Sequence, residues 1–204
     1  MKIKKLNDTI EYVKFLKIKI TEVEKNQMNL PNFLTLIRFL LVPVMTIFLV
    51  KQNFTIAITS YILAGITDVL DGYIARKYNL ITKLGKILDP MADKLLQFSA
   101  LVGLWIIEVI PFWITLIFFL KEIFMGLGAI KLLKNKDVVV PSKWFGKLST
   151  IFFFIAIIFS MLSVNLVILK PYVLPMFILA LLSLFFAFTM YLINFIKVTK
   201  KSNN

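Results

Sequence analysis

Six long apolar segments run through the sequence, and they decide which folds the chain can adopt. Each segment is long enough to cross about 30 Å of hydrocarbon as a helix, which takes about 20 residues. The segments cover residues 33–51, 54–75, 86–107, 111–133, 147–169 and 172–196. Hydrophobic residues make up 59% of the chain, against about 45–50% in soluble domains. We therefore predict an all-α integral membrane protein with six transmembrane helices.

Basic residues alternate between the predicted loops, and this alternation orients the segments. Lysines and arginines precede the first segment, separate the second from the third, surround the loop after the fourth and follow the sixth. The other loops carry only Lys51 and Lys170. Cytoplasmic loops are enriched in Lys and Arg, so both termini are expected in the cytoplasm. The net charge of +13 then indicates contact with anionic headgroups, and no nucleic acid partner is expected.

Residues 1–28 combine apolar and basic side chains at near-helical spacing. The apolar positions are Ile3, Leu6, Ile10, Val13, Leu16 and Ile20. This pattern predicts an N-terminal amphipathic helix on the inner leaflet, and a solvated basic tail is the alternative because the apolar stripe is imperfect. Lysines interrupt the run and no small-residue cleavage site follows, so no signal peptide is expected. The domain proper is predicted over residues 29–204.

Cysteine and histidine are both absent from the sequence, and this restricts the chemistry. Without cysteine, disulfides, thiolate nucleophiles and cysteine-ligated metal sites are excluded. Without histidine, no imidazole can act as a base, nucleophile or ligand. Carboxylate, lysine or metal-ion chemistry remains.

Four aspartates lie near the ends of the second and third segments, where lipid or a packed core is expected. Asp68 and Asp71 are three residues apart, and Asp89 and Asp93 are four apart, so each pair lies on one helix face. Four carboxylates directed at one point would repel one another unless a cation compensated them. Hard oxygen ligands favour Mg²⁺ or Mn²⁺. Helix capping is the alternative for Asp89, which precedes Pro90.

Small residues and one arginine accompany the aspartates. Gly72, Ala75 and Gly85 are typical of places where a ligand or a neighbouring backbone approaches closely. Arg76 adds a guanidinium group that fits phosphate. Together with the carboxylates, these residues indicate metal-assisted phosphoryl transfer from a diphosphate at the membrane surface.

These residues also form a known pattern. Asp68-x-x-Asp71-Gly72-x-x-Ala75-Arg76, followed after eight residues by Gly85-x-x-x-Asp89-x-x-x-Asp93, resembles the signature of the CDP-alcohol phosphatidyltransferases at every defining position. The stretches "NLPNFLTLIRFLLVP" (29–43) and "WFGKLST" (144–150) are similar to motifs of the bacterial phosphatidylglycerophosphate synthases. The resemblance implies six transmembrane helices in a bacterial plasma membrane, a cytoplasmic active site and a homodimer. It also implies transfer of a phosphatidyl group from CDP-diacylglycerol to an alcohol, with release of CMP.

The resemblance assigns a role to each residue of the pattern. Asp68, Asp71 and Asp89 would hold Mg²⁺ or Mn²⁺, with two ions expected. Asp93 would be the general base that takes the proton of the acceptor hydroxyl, and also a metal ligand. The donor-binding residues would be Gly72, Ala75 and Gly85 at the cytidine and Arg76 at the diphosphate.

The acceptor is expected to be glycerol 3-phosphate, whose phosphate needs basic partners. The candidates are Arg38, Lys121, Lys143 and Lys147. Snorkelling is the alternative for Arg38 and pairing with Glu122 for Lys121, while the other two could be ordinary loop lysines. The chain has Lys121, Ala129 and Ser149 where these synthases usually have basic residues (arginine, arginine and lysine). A cardiolipin synthase using phosphatidylglycerol is therefore the close alternative, and other alcohols remain open.

A cation transporter or channel is the alternative from another class, because acidic residues inside helical membrane proteins also form ion sites. That function predicts charges near the membrane midplane and broken helices. The four aspartates instead lie near one predicted membrane face, beside Arg76 and a basic loop.

Overall fold

A computed structural model of the protein describes residues 29–82, 84–134 and 144–202, which form six α-helices and contain no strand. The helices are α1 (Leu30–Val50), α2 (Phe54–Lys77), α3 (Gly85–Ile106), α4 (Phe112–Lys134), α5 (Trp144–Asn165) and α6 (Lys170–Ser202). A short 3-10 helix at Val167–Leu169 precedes α6. Each apolar segment lies largely within one of these helices. The all-α prediction is confirmed, while the predicted amphipathic helix at 1–28 lies outside the described residues.

Four helical stretches are long and apolar enough to cross a membrane. They are Leu30–Val50, Phe54–Lys77, Leu148–Asn165 and Val167–Met190. Helix α3 is not among them, because its first three turns carry Lys86, Asp89, Asp93 and Lys94. Apolar helices of this length indicate a membrane protein, and the charged start of α3 marks the part of the chain that is least like a membrane span.

Helices α1, α2 and α3 end in the same way. In each, the backbone N–H two residues past the last turn bonds to a carbonyl five residues earlier: Asn53 to Phe48, Leu80 to Ala75, and Val109 to Leu104. The residues that make these turns have positive φ: Gln52 (58°), Asn79 (53°) and Glu108 (59°). This Schellman geometry satisfies carbonyls at the helix end and allows short connections. Tight turns therefore bring each helix directly back along its predecessor.

The chain divides into two compact units, and α1, α2 and α3 each contribute to both. The first unit, called here the polar unit, contains the residues up to Pro43 together with Ile62–Leu96. The second, called the apolar unit, contains Val44–Tyr61 and the residues from Gln97 onward.

The apolar unit has an aromatic core. The rings of Phe118 and Phe153 lie 5.1 Å apart, and Phe177 lies 6.3 Å from Phe153 in an edge contact. Tyr61 stacks on Phe154 at 4.7 Å. Such aromatic pairs bury large apolar surfaces with a defined geometry, so this core holds its helices together by packing.

Candidate functional site

A ridge of polar side chains winds along the start of α1. Asn32, Thr35 and Arg38 follow Asn29 at intervals of three residues, so each is the neighbour of the next on the helix surface. Asn32, Thr35 and Arg38 are buried although α1 is otherwise strongly apolar. Buried polar groups need partners, and the polar unit supplies them from α2, α3 and the loop between them.

Arg38 lies among the aspartates of α2. Its Nη1 atom is 3.0 Å from Asp68 Oδ1, and its Nη2 atom donates a hydrogen bond to Asp71 Oδ2. The contact with Asp68 is an ion pair rather than a directed hydrogen bond, since Nη1 and Nε have no hydrogen-bond partner among the described residues. Arg38 and Asp71 are almost fully buried, and the Asp68 side chain is 45% exposed. The guanidinium therefore compensates carboxylates that could not be buried alone.

Thr35 connects the aspartates of two helices. Its Oγ1 atom is 2.6 Å from Asp89 Oδ1 on α3 and 3.3 Å from Asp71 Oδ2 on α2. It is also 3.2 Å from the carbonyl of Pro31, one turn earlier in α1. Through Arg38 and Thr35, three of the four predicted aspartates join one network that is centred on α1.

The loop between α2 and α3 is fastened to the start of α1. The amide of Asn29 donates to the Leu80 carbonyl at 2.7 Å, and that of Asn32 donates to Thr82 Oγ1 at 2.9 Å. Thr82 Oγ1 in turn accepts from the backbone N–H of Gly85 at 2.9 Å, as an N-cap side chain does. These bonds fix the first turn of α3, and with it the position of Asp89.

Gly85 has no side chain at the point where Asn32 passes. A Cβ atom on Gly85 would lie 2.7 Å from Asn32 Oδ1 and 3.1 Å from Thr82 Oγ1, and the first distance is shorter than van der Waals contact. The glycine of the predicted pattern thus permits the close approach of α1 to α3, in addition to the cytidine-binding role that the resemblance implies.

The remaining residues of the pattern lie nearby in sequence and are less enclosed. Asp93 is partly exposed, and its carboxylate is 3.8 Å from Lys94 Nζ. Arg76 is exposed, and Ala75 is half-buried. A Cβ atom on Gly72 would meet the Arg76 guanidinium at 3.4 Å, so the glycine leaves room for this side chain along the helix. These groups remain accessible to a ligand.

The donor set at the aspartates suits a hard divalent cation. Carboxylate oxygens are the ligands that Mg²⁺ and Mn²⁺ prefer, and Asp68, Asp71 and Asp89 belong to one network. In the arrangement described for residues 29–82, 84–134 and 144–202, no group of three acidic side chains has the geometry to hold an ion, and Arg38 supplies the positive charge between Asp68 and Asp71. Ion binding thus requires the carboxylates to turn from Arg38 toward the ion.

The predicted acceptor residues are distributed differently. Arg38 is engaged by the aspartates. Lys121 Nζ is 2.6 Å from Glu122 Oε1 and 5.5 Å from the centre of the Phe118 ring, so the pairing considered as an alternative exists. Lys143 and the side chain of Lys147 lie outside the described residues. Their assignment to the acceptor phosphate stays a prediction.

Sequence reasoning missed Asn32, Thr35 and Thr82 as parts of the site. A usable signal was present for the first two, because polar residues inside an apolar membrane segment are commonly functional. For Thr82, a loop residue, the sequence carried no such signal, since its importance depends on the position of Asn32.

The chain is similar to known proteins over most of its length. The model of the CDP-alcohol phosphatidyltransferase family matches residues 28–193. A Mycobacterium tuberculosis protein named "Probable phosphatidylglycerophosphate synthase" is 37% identical over 128 residues, 60% of each chain. An Aquifex aeolicus "CDP-diacylglycerol--glycerol-3-phosphate 3-phosphatidyltransferase" is 37% identical over 144 residues, 68% of this chain and 76% of the relative. A Drosophila melanogaster protein named "Probable cardiolipin synthase (CMP-forming)" is 40% identical over 111 residues, 54% of this chain and 34% of the relative.

The matched lengths differ among these relatives. The chain spans about 60% of the M. tuberculosis protein, about a third of the Drosophila protein and about three quarters of the A. aeolicus protein. The family match covers α1 to α5 and most of α6, and it includes all of the polar unit that the structure describes.

Proposed function

Because the chain belongs to the CDP-alcohol phosphatidyltransferase family, we propose that it transfers a phosphatidyl group from CDP-diacylglycerol to glycerol 3-phosphate and releases CMP. The observation that carries this proposal is the network at α1, in which Arg38 and Thr35 join Asp68, Asp71 and Asp89. A buried cluster of acidic groups from two helices has no structural purpose that packing alone explains. Family membership favours a transferase over the cation transporter considered from the sequence.

The aspartates are proposed to provide the metal and proton chemistry. Asp68, Asp71, Asp89 and Asp93 would hold Mg²⁺ or Mn²⁺, with two ions expected. When bound, such an ion polarises the phosphoryl oxygen and stabilises the charge of the leaving CMP. Asp93 accepts the proton of the acceptor hydroxyl, and its partial exposure is consistent with contact to an incoming alcohol. A carboxylate base within hydrogen-bond reach makes a weak alcohol a better nucleophile.

The donor site is proposed at the exposed end of α2 and the start of α3. Arg76 would pair with the diphosphate of CDP-diacylglycerol, because a guanidinium binds phosphate through parallel hydrogen bonds. Gly72, Ala75 and Gly85 would leave space for the cytidine. The accessibility of Arg76 and the small side chains around it support this placement.

Glycerol 3-phosphate is proposed as acceptor because relatives from A. aeolicus and Bacillus subtilis carry that substrate in their names. The Drosophila relative named as a cardiolipin synthase supports phosphatidylglycerol as the second candidate. These two acceptors differ in charge and size at the same reacting hydroxyl, so they can be separated by a direct assay.

We further propose that all six helices cross the plasma membrane of a bacterium, with both termini and the active site in the cytoplasm. The alternation of basic loops supports this orientation. An amphipathic segment at 1–28, a catalytic domain at 29–204 and a homodimer complete the proposal. Cysteine-scanning accessibility at Lys51 and Lys77 tests the orientation, since reagent added from outside should label only position 51.

The deciding experiment follows CMP release from CDP-diacylglycerol by the purified protein with Mn²⁺ or Mg²⁺. Glycerol 3-phosphate and phosphatidylglycerol are compared as acceptors, and Asp93→Asn is the control. Turnover with glycerol 3-phosphate that the variant lacks supports the proposal. Activity only with phosphatidylglycerol selects the cardiolipin synthase, and no CMP with any acceptor contradicts both.

A further inference from the structure

Resting on the function proposed above, we propose that Thr35 is a positioning residue, whose hydroxyl fixes the spacing between the metal-binding carboxylates of Asp71 and Asp89. Neither the sequence pattern of the family nor the predicted site includes this threonine. It lies on α1, whereas the two carboxylates come from α2 and α3.

The contacts of Thr35 single it out among the neighbours of the aspartates. Its hydroxyl lies 2.6 Å from Asp89 and 3.3 Å from Asp71, and the residue has no exposed surface. Arg38 pairs with Asp68 and Asp71. Among the hydrogen bonds described for the polar unit, those of Thr35 connect the aspartate of α3 with an aspartate of α2.

A hydroxyl has one proton to donate, so its position is informative. The distance of 2.6 Å indicates that the proton lies toward Asp89, and short hydrogen bonds to a charged acceptor are the strong ones. The Pro31 carbonyl at 3.2 Å offers another acceptor within α1. The hydroxyl therefore keeps a partner when a carboxylate turns, and the threonine can orient Asp89 without holding it permanently.

Hydrogen bonds to metal-binding carboxylates set the orientation of those ligands. Removing such a partner typically weakens metal affinity or activity by about 10- to 100-fold. Thr35→Val preserves the branched shape and removes only the hydroxyl. Thr35→Ser keeps the hydroxyl and removes a methyl group, so it should retain most of the metal affinity.

Thr115 provides a matched control within the same protein. It is also a buried threonine in a helix, and its hydroxyl bonds to the Leu101 carbonyl at 3.4 Å. Thr115→Val removes an equivalent buried hydroxyl that touches no carboxylate. If the metal responds to Thr35 through Asp89, only the variant at position 35 should change Mn²⁺ binding.

The test measures Mn²⁺ binding by electron paramagnetic resonance in the full-length protein without substrate, together with CMP release. We expect about 10- to 100-fold weaker Mn²⁺ binding for Thr35→Val, with Thr35→Ser and Thr115→Val close to wild type. We also expect added Mn²⁺ to recover part of the lost CMP release of Thr35→Val. Thr35→Ala carries the same expectation should the valine variant fail to fold.

The outcomes separate this inference from the proposed function. Wild-type binding and turnover together with unchanged Mn²⁺ affinity in the folded position-35 variants would overturn the inference alone. An equal loss in Thr35→Ser and Thr35→Val would also overturn it, because the hydroxyl would then not be the cause. A wild-type protein that neither binds Mn²⁺ nor releases CMP would overturn the proposed function and this inference together.

Discussion

The polar and apolar units satisfy their buried polar groups in different ways. In the apolar unit, Ser160 and Ser163 donate to backbone carbonyls three or four residues earlier in the same helix. In the polar unit, Asn32 bonds across 50 positions of sequence, and Thr35 across 54. A group satisfied within its own helix says nothing about neighbouring helices. A group that depends on another helix ties the placement of that helix to function.

This difference predicts that stability and activity respond separately in the two units. Packing changes in the apolar unit should lower stability and leave CMP release nearly intact. Changes in the polar unit should reduce CMP release even where stability is little affected, because its side chains orient the reacting groups.

The largest effect is expected for Asp93→Asn. An amide cannot accept the proton of the acceptor hydroxyl, and loss of a general base typically costs about 10²- to 10⁴-fold in rate. The thermal midpoint should change little, because Asp93 is partly exposed. Glu108→Gln, which alters an exposed carboxylate of the apolar unit, is the control in the same CMP-release assay. Full activity of Asp93→Asn would remove this residue from the catalytic assignment.

Arg38→Met should produce the next largest effect, on stability. It leaves Asp71 buried without its cation, and breaking a buried pair costs about 3–5 kcal/mol. The lower end is expected because the Asp68 side chain is 45% exposed. Thermal unfolding with and without Mn²⁺ measures this cost.

The same variant also tests how Arg38 relates to the metal. A divalent ion can compensate the same carboxylates, so Mn²⁺ should stabilise Arg38→Met more than it stabilises wild type. The matched control is Lys121→Met, which breaks the ion pair with Glu122 in the apolar unit. An equal Mn²⁺ response in wild type and Arg38→Met would show that Arg38 and the ion do not share partners.

Gly85→Ala and Gly103→Ala form a matched pair with intermediate effects. The new methyl group would lie 2.7 Å from Asn32 Oδ1 in the polar unit, or 2.6 Å from Leu49 Cδ2 in the apolar unit. Overpacking of either kind costs about 1–3 kcal/mol. Only Gly85→Ala should also reduce CMP release, since it displaces the start of α3 that carries Asp89.

The second changes in these pairs identify the cause. Adding Asn32→Ala to Gly85→Ala removes the clash and should recover part of the lost stability, measured as the midpoint of thermal unfolding. Leu49→Ala should do the same for Gly103→Ala. Were Gly103→Ala to reduce CMP release as strongly as Gly85→Ala, the functional contrast between the two units would fail.

The smallest effect is expected for Phe153→Leu in the aromatic core. The substitution keeps much of the apolar volume beside Phe118 and Phe177, and such changes usually cost less than about 1.5 kcal/mol. CMP release per folded protein should stay at the wild-type level. A large loss of activity with an unchanged unfolding midpoint would contradict the proposed separation between packing and chemistry.

Several features of the molecule could be predicted from the sequence because they depend on local properties. The length and apolarity of each segment predicted the positions of the helices, since a helix satisfies its own backbone in any surroundings. The spacing of Asp68, Asp71, Asp89 and Asp93 indicated two helix faces that bear carboxylates. The family pattern added their expected roles.

Other features depend on contacts between distant parts of the chain. The sequence suggested Arg38 as an acceptor-phosphate residue or a snorkelling side chain, and the structure places it between Asp68 and Asp71. Its partners lie 30 and 33 positions away, and no periodicity within α1 specifies them. The role of Gly85 in admitting Asn32 likewise depends on how closely two helices approach.

The sequence by itself determined an all-helical membrane protein with an acidic motif, because hydropathy, helical periodicity and residue chemistry are properties of short stretches. Only the tertiary structure decided which side chains satisfy those acids. Buried polar groups must find partners, and helix packing selects the partners within reach. Here that selection placed Thr35 between Asp71 and Asp89, so the spacing of these two carboxylates is set by a helix that carries neither of them.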